Sequence, residues 1–209
     1  MTDGKRAYRS TLRAEQAART RETVLDAAVR CFLRDGYTGT TMKSIAAEAG
    51  VALQTVFAQG SKAAVFLAAV DRALAADDQD RPVREGAGFV EILTGRTKEA
   101  KLDALRRVAG NRPDEEAALL CEFRSAAGGD GEIADAWTEY ERRRYSDMHV
   151  LVASFEHLLR DGIDVDRATD VAWALFTIET GDRFVRGRNW TPVEYGDWMA
   201  DALDRLLLR

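Results

Sequence analysis

One stretch decides the fold: residues 41–62, which read TMKSIAAEAGVALQTVFAQGSK. Met42, Ile45 and Ala49 recur at helical spacing and predict one apolar stripe on a short helix. Thr41 stands just before that stripe, where its hydroxyl can cap the first free N–H groups. Gly50 follows the stripe, at the point where a chain leaving a helix adopts a positive φ. The segment therefore predicts a helix with a capped start and a sharp turn at its end.

A second short helix is predicted directly after that turn. Val51 and Val56 are its apolar residues, and we expect Val56 to anchor it to the first helix. Ala46 must be small, because the second helix crosses over it. Two short helices joined by a tight turn form the helix-turn-helix that reads DNA. The alternative is an ordinary helical hairpin in a bundle, since the same spacing arises by chance in alanine-rich chains.

The flanking residues favour the first alternative. They comprise Arg21, an Ala27-Ala28 helix that leads to Phe32, the pair Gly36-Tyr37, and, downstream, Thr55-Val56-Phe57 and Ser61-Lys62. Together with the helix pair, these residues resemble the N-terminal domain of the tetracycline-repressor (TetR) family over about residues 20–65. The resemblance implies a dimeric, all-helical, ligand-responsive transcription regulator, usually a repressor.

Three positions depart from the family pattern. Phe57 stands where the family usually has tyrosine, so a hydroxyl directed at a phosphate is missing. Ala52 replaces the Ser or Thr that often caps the second helix, which we expect to cost about 1 kcal/mol of local stability. The segment 58–60 is one residue shorter than usual, which changes the approach of Lys62 to DNA.

The predicted DNA contacts divide into base contacts and phosphate contacts. Gln54 can make two hydrogen bonds to adenine, Thr55 can bond a base edge or a phosphate, and Leu53 or Ala58 can meet a thymine methyl group. Lysine and serine side chains that hold phosphates would give position without sequence information. The predicted DNA-binding set is Thr41, Lys43, Leu53, Gln54, Thr55, Phe57, Ser61 and Lys62. For each member alone, an ordinary surface residue is the competing interpretation.

Composition is that of an ordinary helical protein. The 209 residues are 46% hydrophobic and 31% charged, with three prolines, so helix is the default class. No apolar run approaches the length of a membrane span, and no N-terminal signal peptide is visible. Cys31 and Cys121 lie in separate helical patterns. These features predict a reduced, cytoplasmic location.

Charge is distributed unevenly along the chain. Residues 1–62 hold ten Lys/Arg and six Asp/Glu, a net charge of +4, whereas the remainder holds twenty and twenty-nine, a net of −9. The basic segment 1–62, which we call the basic head, contains the predicted helix-turn-helix, and the remainder of the chain is acidic. The positive charge that DNA binding needs therefore coincides with the predicted helix-turn-helix. Four of the cations in residues 1–19 either form a mobile arm for a minor groove or belong to a solvated tail. These cations are Lys5, Arg6, Arg9 and Arg13.

The pattern as a whole predicts an all-α fold with two domains. Residues 1–62 form a three-helix DNA-binding domain with an N-terminal arm, and residues 63–209 form a helical bundle for ligand binding and dimerisation. The first helix is predicted from Ala14 or Thr20 to Asp35, and a loop is predicted at 77–88. Further helices are predicted at about 62–76, 89–94, 97–109, 114–127, 132–160 and 166–186, with a last one from Pro192. In the TetR family the last two long helices pair, which implies a homodimer with a four-helix interface.

Arg144 interrupts the apolar stripe of the predicted helix 132–160. One interpretation is that Arg144 forms a partly buried ion pair or extends its charged end to the surface. The other is that it is a polar anchor in a ligand cavity. The predicted ligand-binding set is Phe123, Arg124, Trp137, Tyr140, Arg144, Met148, Phe155, Trp173, Phe176 and Thr177. The number of rings in this set favours an apolar or aromatic ligand over a highly charged one.

The common sequence motifs of catalysis and metal binding are absent from the sequence. The sequence holds no Walker-type loop, Gly-x-Ser-x-Gly elbow, Cys-x-x-Cys or His-Glu-x-x-His. His149 and His157 are eight residues apart, off the i, i+4 spacing that suits a shared metal. We therefore expect no enzyme activity, cofactor or metal. The expected partners are a double-stranded DNA operator, a small-molecule effector and a second copy of the chain, with no membrane. The alternative of another class is a helical small-molecule-binding protein or enzyme in which the helix-turn-helix is only structural.

Overall fold

The structure is a computed structural model that describes residues 3–74, 86–111 and 114–209, except for the side chains of residues 3–14, 74 and 114. Internal contacts divide the chain into two compact units, Met1–Arg72 and Ala73–Arg209. The described residues form α1 (Asp3–Gly39), α2 (Met42–Ala49), α3 (Leu53–Phe57), α4 (Lys62–Leu74), α5 (Ala87–Thr94), α6 (Lys98–Gly110), α7 (Asp114–Ala127), α8 (Gly131–Ala153), α9 (Val165–Leu175), α10 (Ile178–Arg188) and α11 (Pro192–Leu207), with one short 3-10 helix, Glu156–Leu158. The all-α prediction is confirmed. None of these helices combines the length and the apolar composition needed to cross a bilayer.

The first unit is organised around α1. The predicted stripe of Val24, Ala28 and Phe32 is at most 1% exposed. The helical geometry breaks at Gly36, where φ is 69°, and the rings of Tyr37 and Phe32 then lie 6.0 Å apart. The chain thus turns back at the predicted glycine.

The start of α1 was predicted too late. The helix begins at Asp3 rather than at Ala14 or Thr20. Residues 3–35 contain no proline and one glycine and are rich in Ala and Arg, so helix propensity favours a helix that extends back toward the N-terminus. The side chains of the four predicted arm cations lie outside the described residues, as do residues 77–85 of the predicted loop.

The helix pair α2–α3 forms as its local signals predict. The Thr41 hydroxyl accepts a hydrogen bond from the Ser44 N–H at 3.0 Å, and the Ser44 hydroxyl accepts one from the Thr41 N–H at 3.0 Å, which completes a capping box. Gly50 ends α2 with φ at 64°, in the left-handed region that glycine enters without strain. Ala52 gives α3 no side-chain cap, as expected.

The second unit packs α5, α6, α8, α9 and α11 around one apolar core. α6 and α11 approach closely at two glycines. A Cβ added to Gly196 would lie 2.5 Å from the Arg106 carbonyl oxygen and 2.9 Å from the Gly110 backbone nitrogen. The largest fully buried side chains of this unit are Phe155, Ile92, Leu119, Leu120, Ile133 and Leu203.

Two long helices predicted for this unit are each broken in the structure. The predicted helix 132–160 ends at Ala153 and continues only as the 3-10 helix. The predicted helix 166–186 is two helices, α9 and α10, because Phe176 leaves helical geometry with ψ at 50°. Thr177 then caps α10 by accepting a hydrogen bond from the Thr180 N–H at 3.1 Å. Apolar periodicity continues through both breaks, and it therefore hid them.

Arg144 supports the second of these breaks. Its guanidinium donates to the carbonyl oxygens of Trp173 at 3.4 Å and Phe176 at 3.4 Å, which the end of α9 leaves without helical partners. It also pairs with Glu141 at 2.9 Å, and its own side chain is 17% exposed. The ion-pair interpretation of Arg144 is therefore confirmed, with helix capping added to it.

Candidate nucleic-acid interface

The outer face of α3 is available to a partner. Val56 is 0% exposed and fastens the helix to its unit, as predicted. Leu53, Gln54 and Phe57 are exposed on the opposite side, and Thr55 is half-buried between the two faces. This face places the predicted base-reading side chains together, while their contacts with DNA stay a prediction.

Among the predicted phosphate contacts, Lys43 is the side chain best placed for that role. It is exposed in the first turn of α2, and within the described residues no carboxylate pairs with it. The hydroxyls of Thr41 and Ser61 accept hydrogen bonds from backbone N–H groups, which makes them caps of α2 and α4. A hydroxyl that accepts in this way can still donate its proton to a phosphate.

Lys62 occupies a different place from the one predicted. Its ammonium donates to the carbonyl oxygens of Tyr37 at 3.0 Å and Thr40 at 3.3 Å, and it lies 4.2 Å from the centre of the Tyr37 ring. These contacts fix α4 against the end of α1. Two of its three N–H groups are thus engaged inside the unit. The structure gives Lys62 a structural role, and its predicted phosphate contact stays a prediction.

Other cations of the basic head are also paired within the unit. Arg30 and Arg34 contact the Glu48 carboxylate at 2.8 and 3.3 Å. Hydrogen bonds from these two arginines lower the pKa of Glu48. The single acid of residues 41–62 is therefore paired with two cations, which reduces its repulsion of a phosphate backbone.

Comparison with known proteins bears on this unit directly. Residues 24–69 match the sequence profile of the bacterial regulatory proteins of the tetR family. This segment is therefore a TetR-type N-terminal domain. The matched segment covers the described helix-turn-helix, from the core of α1 to the middle of α4. No curated protein matches the chain in a sequence search.

Solved structures resemble the fold over nearly the whole chain. NalD of Pseudomonas aeruginosa, the secondary repressor of the MexAB-OprM multidrug efflux pump, aligns with a TM-score of 0.71 and 20% identity over 93% of this chain and 98% of its own. A protein from Saccharomonospora viridis, described as a transcriptional regulator in complex with choline, gives 0.69 and 19% over 92% and 99%. The SmeT–triclosan complex gives 0.68 and 18% over 91% and 92%. At these identities the likeness shows a shared fold.

The predicted ligand-binding residues of the second unit form two groups. In the first group, the Phe123 ring lies 5.1 Å from Trp137 and 5.9 Å from Tyr140. The Arg124 guanidinium lies 5.7 Å from the Trp137 ring, and its Nε is 2.7 Å from Glu179. An aromatic cluster with a charged border thus connects α7, α8 and α10.

The second group surrounds the break between α9 and α10. It contains Arg144, Trp173, Phe176 and Thr177. The Arg144 guanidinium lies 5.1 Å from the Trp173 ring. The Trp173 Nε1 is buried, and no acceptor reaches it within the described part of the chain. An indole N–H in that position is a hydrogen-bond donor that a ligand or a water can use.

Met148 and Phe155 belong to neither group. Phe155 is 1% exposed in the apolar core, and Met148 packs against that core. The core position follows from the end of α8 at Ala153, which removes Phe155 from the helical stripe on which its prediction rested. The structure thus gives both residues packing roles, while their predicted ligand contacts stay untested.

Sequence reasoning missed the two carboxylates that line the first group. Glu179 and Asp182 are three residues apart on α10 and bury one oxygen each, and Arg186 pairs with Asp182 at 3.3 Å. Burial first, and then the charges of Asp182 and Glu179, raise the pKa of the nearby Cys121 thiol to about 11. The spacing of these acids on one helical face was the available signal, but a solvated face has the same pattern.

Proposed function

We propose that the chain is a dimeric transcriptional regulator that binds a pseudo-palindromic operator and releases it when a small molecule binds the second unit. The observation that carries this proposal is the outer face of α3, which presents Leu53, Gln54 and Phe57 to solvent on a helix-turn-helix. In the proposed complex α3 enters the major groove, and Lys43 holds a phosphate beside it. Repression is the sign of regulation that the resemblance to the tetR family favours.

The proposed dimer uses the last helices of the chain. No residue of α10 is buried in the single chain, although Ile178, Phe184 and Val185 are apolar. The Phe184 ring contacts Trp190 at 4.4 Å and Trp198 at 4.9 Å, which makes a broad, half-buried aromatic surface. A second copy that covers this surface gives two recognition helices, which suit half-sites about 34–36 Å apart or a multiple of that distance. Light scattering at micromolar concentration tests the dimer, and a monomer there contradicts it.

The proposed effector has an aromatic or apolar body and a hydrogen-bond acceptor. The rings of Phe123, Trp137 and Tyr140 support the first property, and the unpaired Trp173 Nε1 supports the second. Triclosan in SmeT and choline in the Saccharomonospora viridis protein show that this fold accommodates small organic molecules. A coupling of about 1–3 kcal/mol would change operator affinity roughly 5- to 150-fold.

A gel shift with DNA from the flanks of the protein's own gene tests the proposal, at low salt and without effector. We expect a specific complex. Gln54→Ala should relax base preference at one position, whereas Lys43→Ala should weaken binding to all sequences and reduce the salt slope by about 1. If the protein shifts no DNA and yet binds small molecules, the alternative of a helical small-molecule-binding protein replaces this one.

A further inference from the structure

The recognition surface carries two large apolar side chains in contact with solvent. Leu53 is 41% exposed and Phe57 is 57% exposed, and among the described side chains of Met1–Arg72 these are the exposed large hydrophobic residues. They stand four residues apart, so they lie on one face of α3 with Gln54 beside them. A single exposed apolar residue is ordinary, but two on a five-residue helix form a small apolar surface.

The charges around this surface favour nucleic acid as its occupant. α3 contains no ionised residue, and the carboxylate of Glu48 on α2 is already paired with Arg30 and Arg34. Lys43 stands exposed at the start of the same α2. The surface on α3 is therefore apolar and carries no charge of its own, and the neighbouring α2 supplies the exposed cation Lys43, a combination that suits a groove floor beside a phosphate strand.

The major groove of DNA offers one apolar group, the C5-methyl group of thymine. We infer that Leu53 and Phe57 each contact a thymine methyl group, so that α3 selects A·T pairs by apolar contact as well as through Gln54. This inference rests on the proposed function. Four residues of helix advance about 6 Å, which is close to two base-pair steps of about 3.4 Å. The two thymines therefore lie about two steps apart in each half-site.

Deoxyuridine provides the test, because it lacks the methyl group and keeps every hydrogen-bonding atom of thymine. A high-affinity duplex is first selected from a random-sequence library with the full-length protein, and each thymine is then replaced singly by deoxyuridine. We expect about a fourfold loss of affinity at two positions of each half-site, which corresponds to one buried methyl group at each. The remaining replacements should leave the affinity unchanged.

Two variants connect each sensitive position to its side chain. Leu53→Ala should remove the thymine–deoxyuridine difference at one position and keep it at the other, and Phe57→Ala should do the reverse. Both residues are exposed, so far-UV circular dichroism should show intact folding. Val90→Ala is the matched control, since Val90 is 42% exposed on α5, and it should keep both differences.

The outcomes separate this inference from the function on which it rests. Sequence-selective binding with equal affinity for thymine and deoxyuridine duplexes overturns the inference and leaves the proposed function standing. A difference that persists unchanged in both alanine variants also overturns it, because the methyl groups are then read by other residues. If the selection enriches no sequence, the proposed function fails and this inference fails with it.

Discussion

Two helix ends in the first unit and one in the second are stabilised by different means. In Met1–Arg72, α1 breaks at Gly36 and α2 ends at Gly50, and both glycines adopt a positive φ. In Ala73–Arg209, the break after α9 contains no glycine, and Arg144, about thirty residues earlier in the chain, takes the free carbonyl groups. A helix end of the first kind is determined by residues next to it in the sequence. A helix end of the second kind depends on a side chain from another helix that packs against it.

A buried lysine in the second unit also stabilises the end of a helix other than its own. Lys101 is 4% exposed and donates to the carbonyl oxygens of Ile92 at 3.1 Å and Leu93 at 2.9 Å, at the end of α5. Burial lowers the pKa of its ammonium. Gly95 admits it, because a Cβ there would lie 2.8 Å from the Lys101 Cγ. Lys62 supports the end of α1 in the same way but remains half-buried.

The largest expected effect comes from removing the Arg144 guanidinium that supports the break between α9 and α10. Arg144→Met leaves the Trp173 and Phe176 carbonyl groups and the Glu141 carboxylate without this partner. We expect a loss of about 3 kcal/mol in the free energy of unfolding, measured with urea. Arg143→Met is the matched control, because Arg143 is 70% exposed and, among the described residues, pairs only with the surface residue Glu139. It should change stability by less than about 0.5 kcal/mol, and equal losses in the two variants would contradict the role given to Arg144.

The helix end at Gly50 gives a smaller expected effect. Gly50→Ala places a Cβ in the left-handed region, although no atom lies within 4 Å of it. The cost is therefore conformational, about 1–2 kcal/mol, and operator affinity should fall because α3 is displaced. Gly131→Ala also meets no atom within 4 Å but has no positive φ, so it should be neutral or slightly stabilising. Thermal unfolding of both variants compares the two sites, and an unaffected Gly50→Ala would count against the turn geometry.

Double-mutant cycles compare the two N-cap threonines, Thr41 of α2 and Thr177 of α10, for coupling to Arg144. Thr41→Ala and Thr177→Ala should each cost about 1 kcal/mol, since each removes an N-cap hydroxyl. Thr177→Ala combined with Arg144→Met should be non-additive by about 0.5–1 kcal/mol, because both residues support one break. Thr41→Ala combined with Arg144→Met should be additive. Additivity in both pairs would mean that Arg144 does not act on the α9–α10 break.

At neutral pH the smallest expected effect comes from Cys121, because its contribution to stability changes only above about pH 9. Burial and nearby carboxylates raise the pKa of Cys121 from 9.0 to about 11 in the folded chain. Above about pH 9 the unfolded state loses the thiol proton first, so the free energy of unfolding should decrease as pH rises from about 9 to about 11. Cys121→Ala should show a shallower decrease over that range. Identical slopes in the two proteins would argue against burial of this thiol beside Asp182 and Glu179.

The same comparison explains what the sequence could predict. Thr41 and Gly50 form their capping hydrogen bonds with residues within four positions of themselves. The helix pair and its exposed face can therefore be predicted from the sequence. Arg144 looked anomalous in its stripe, but its purpose depends on carbonyl groups that become free only when α9 ends. Phe155 was misplaced for the same reason, since apolar periodicity does not show that α8 stops at Ala153. Contacts between distant segments therefore account for most of what was missed.

Because α3 lacks ionised side chains, discrimination and ionic attraction would arise from separate residues. Counterion release at flanking cations sets how steeply affinity falls with added salt, and it is the same for every duplex. Methyl contacts release no ions. The ratio of affinities for two related operators should thus stay constant across ionic strength, even as both complexes weaken together.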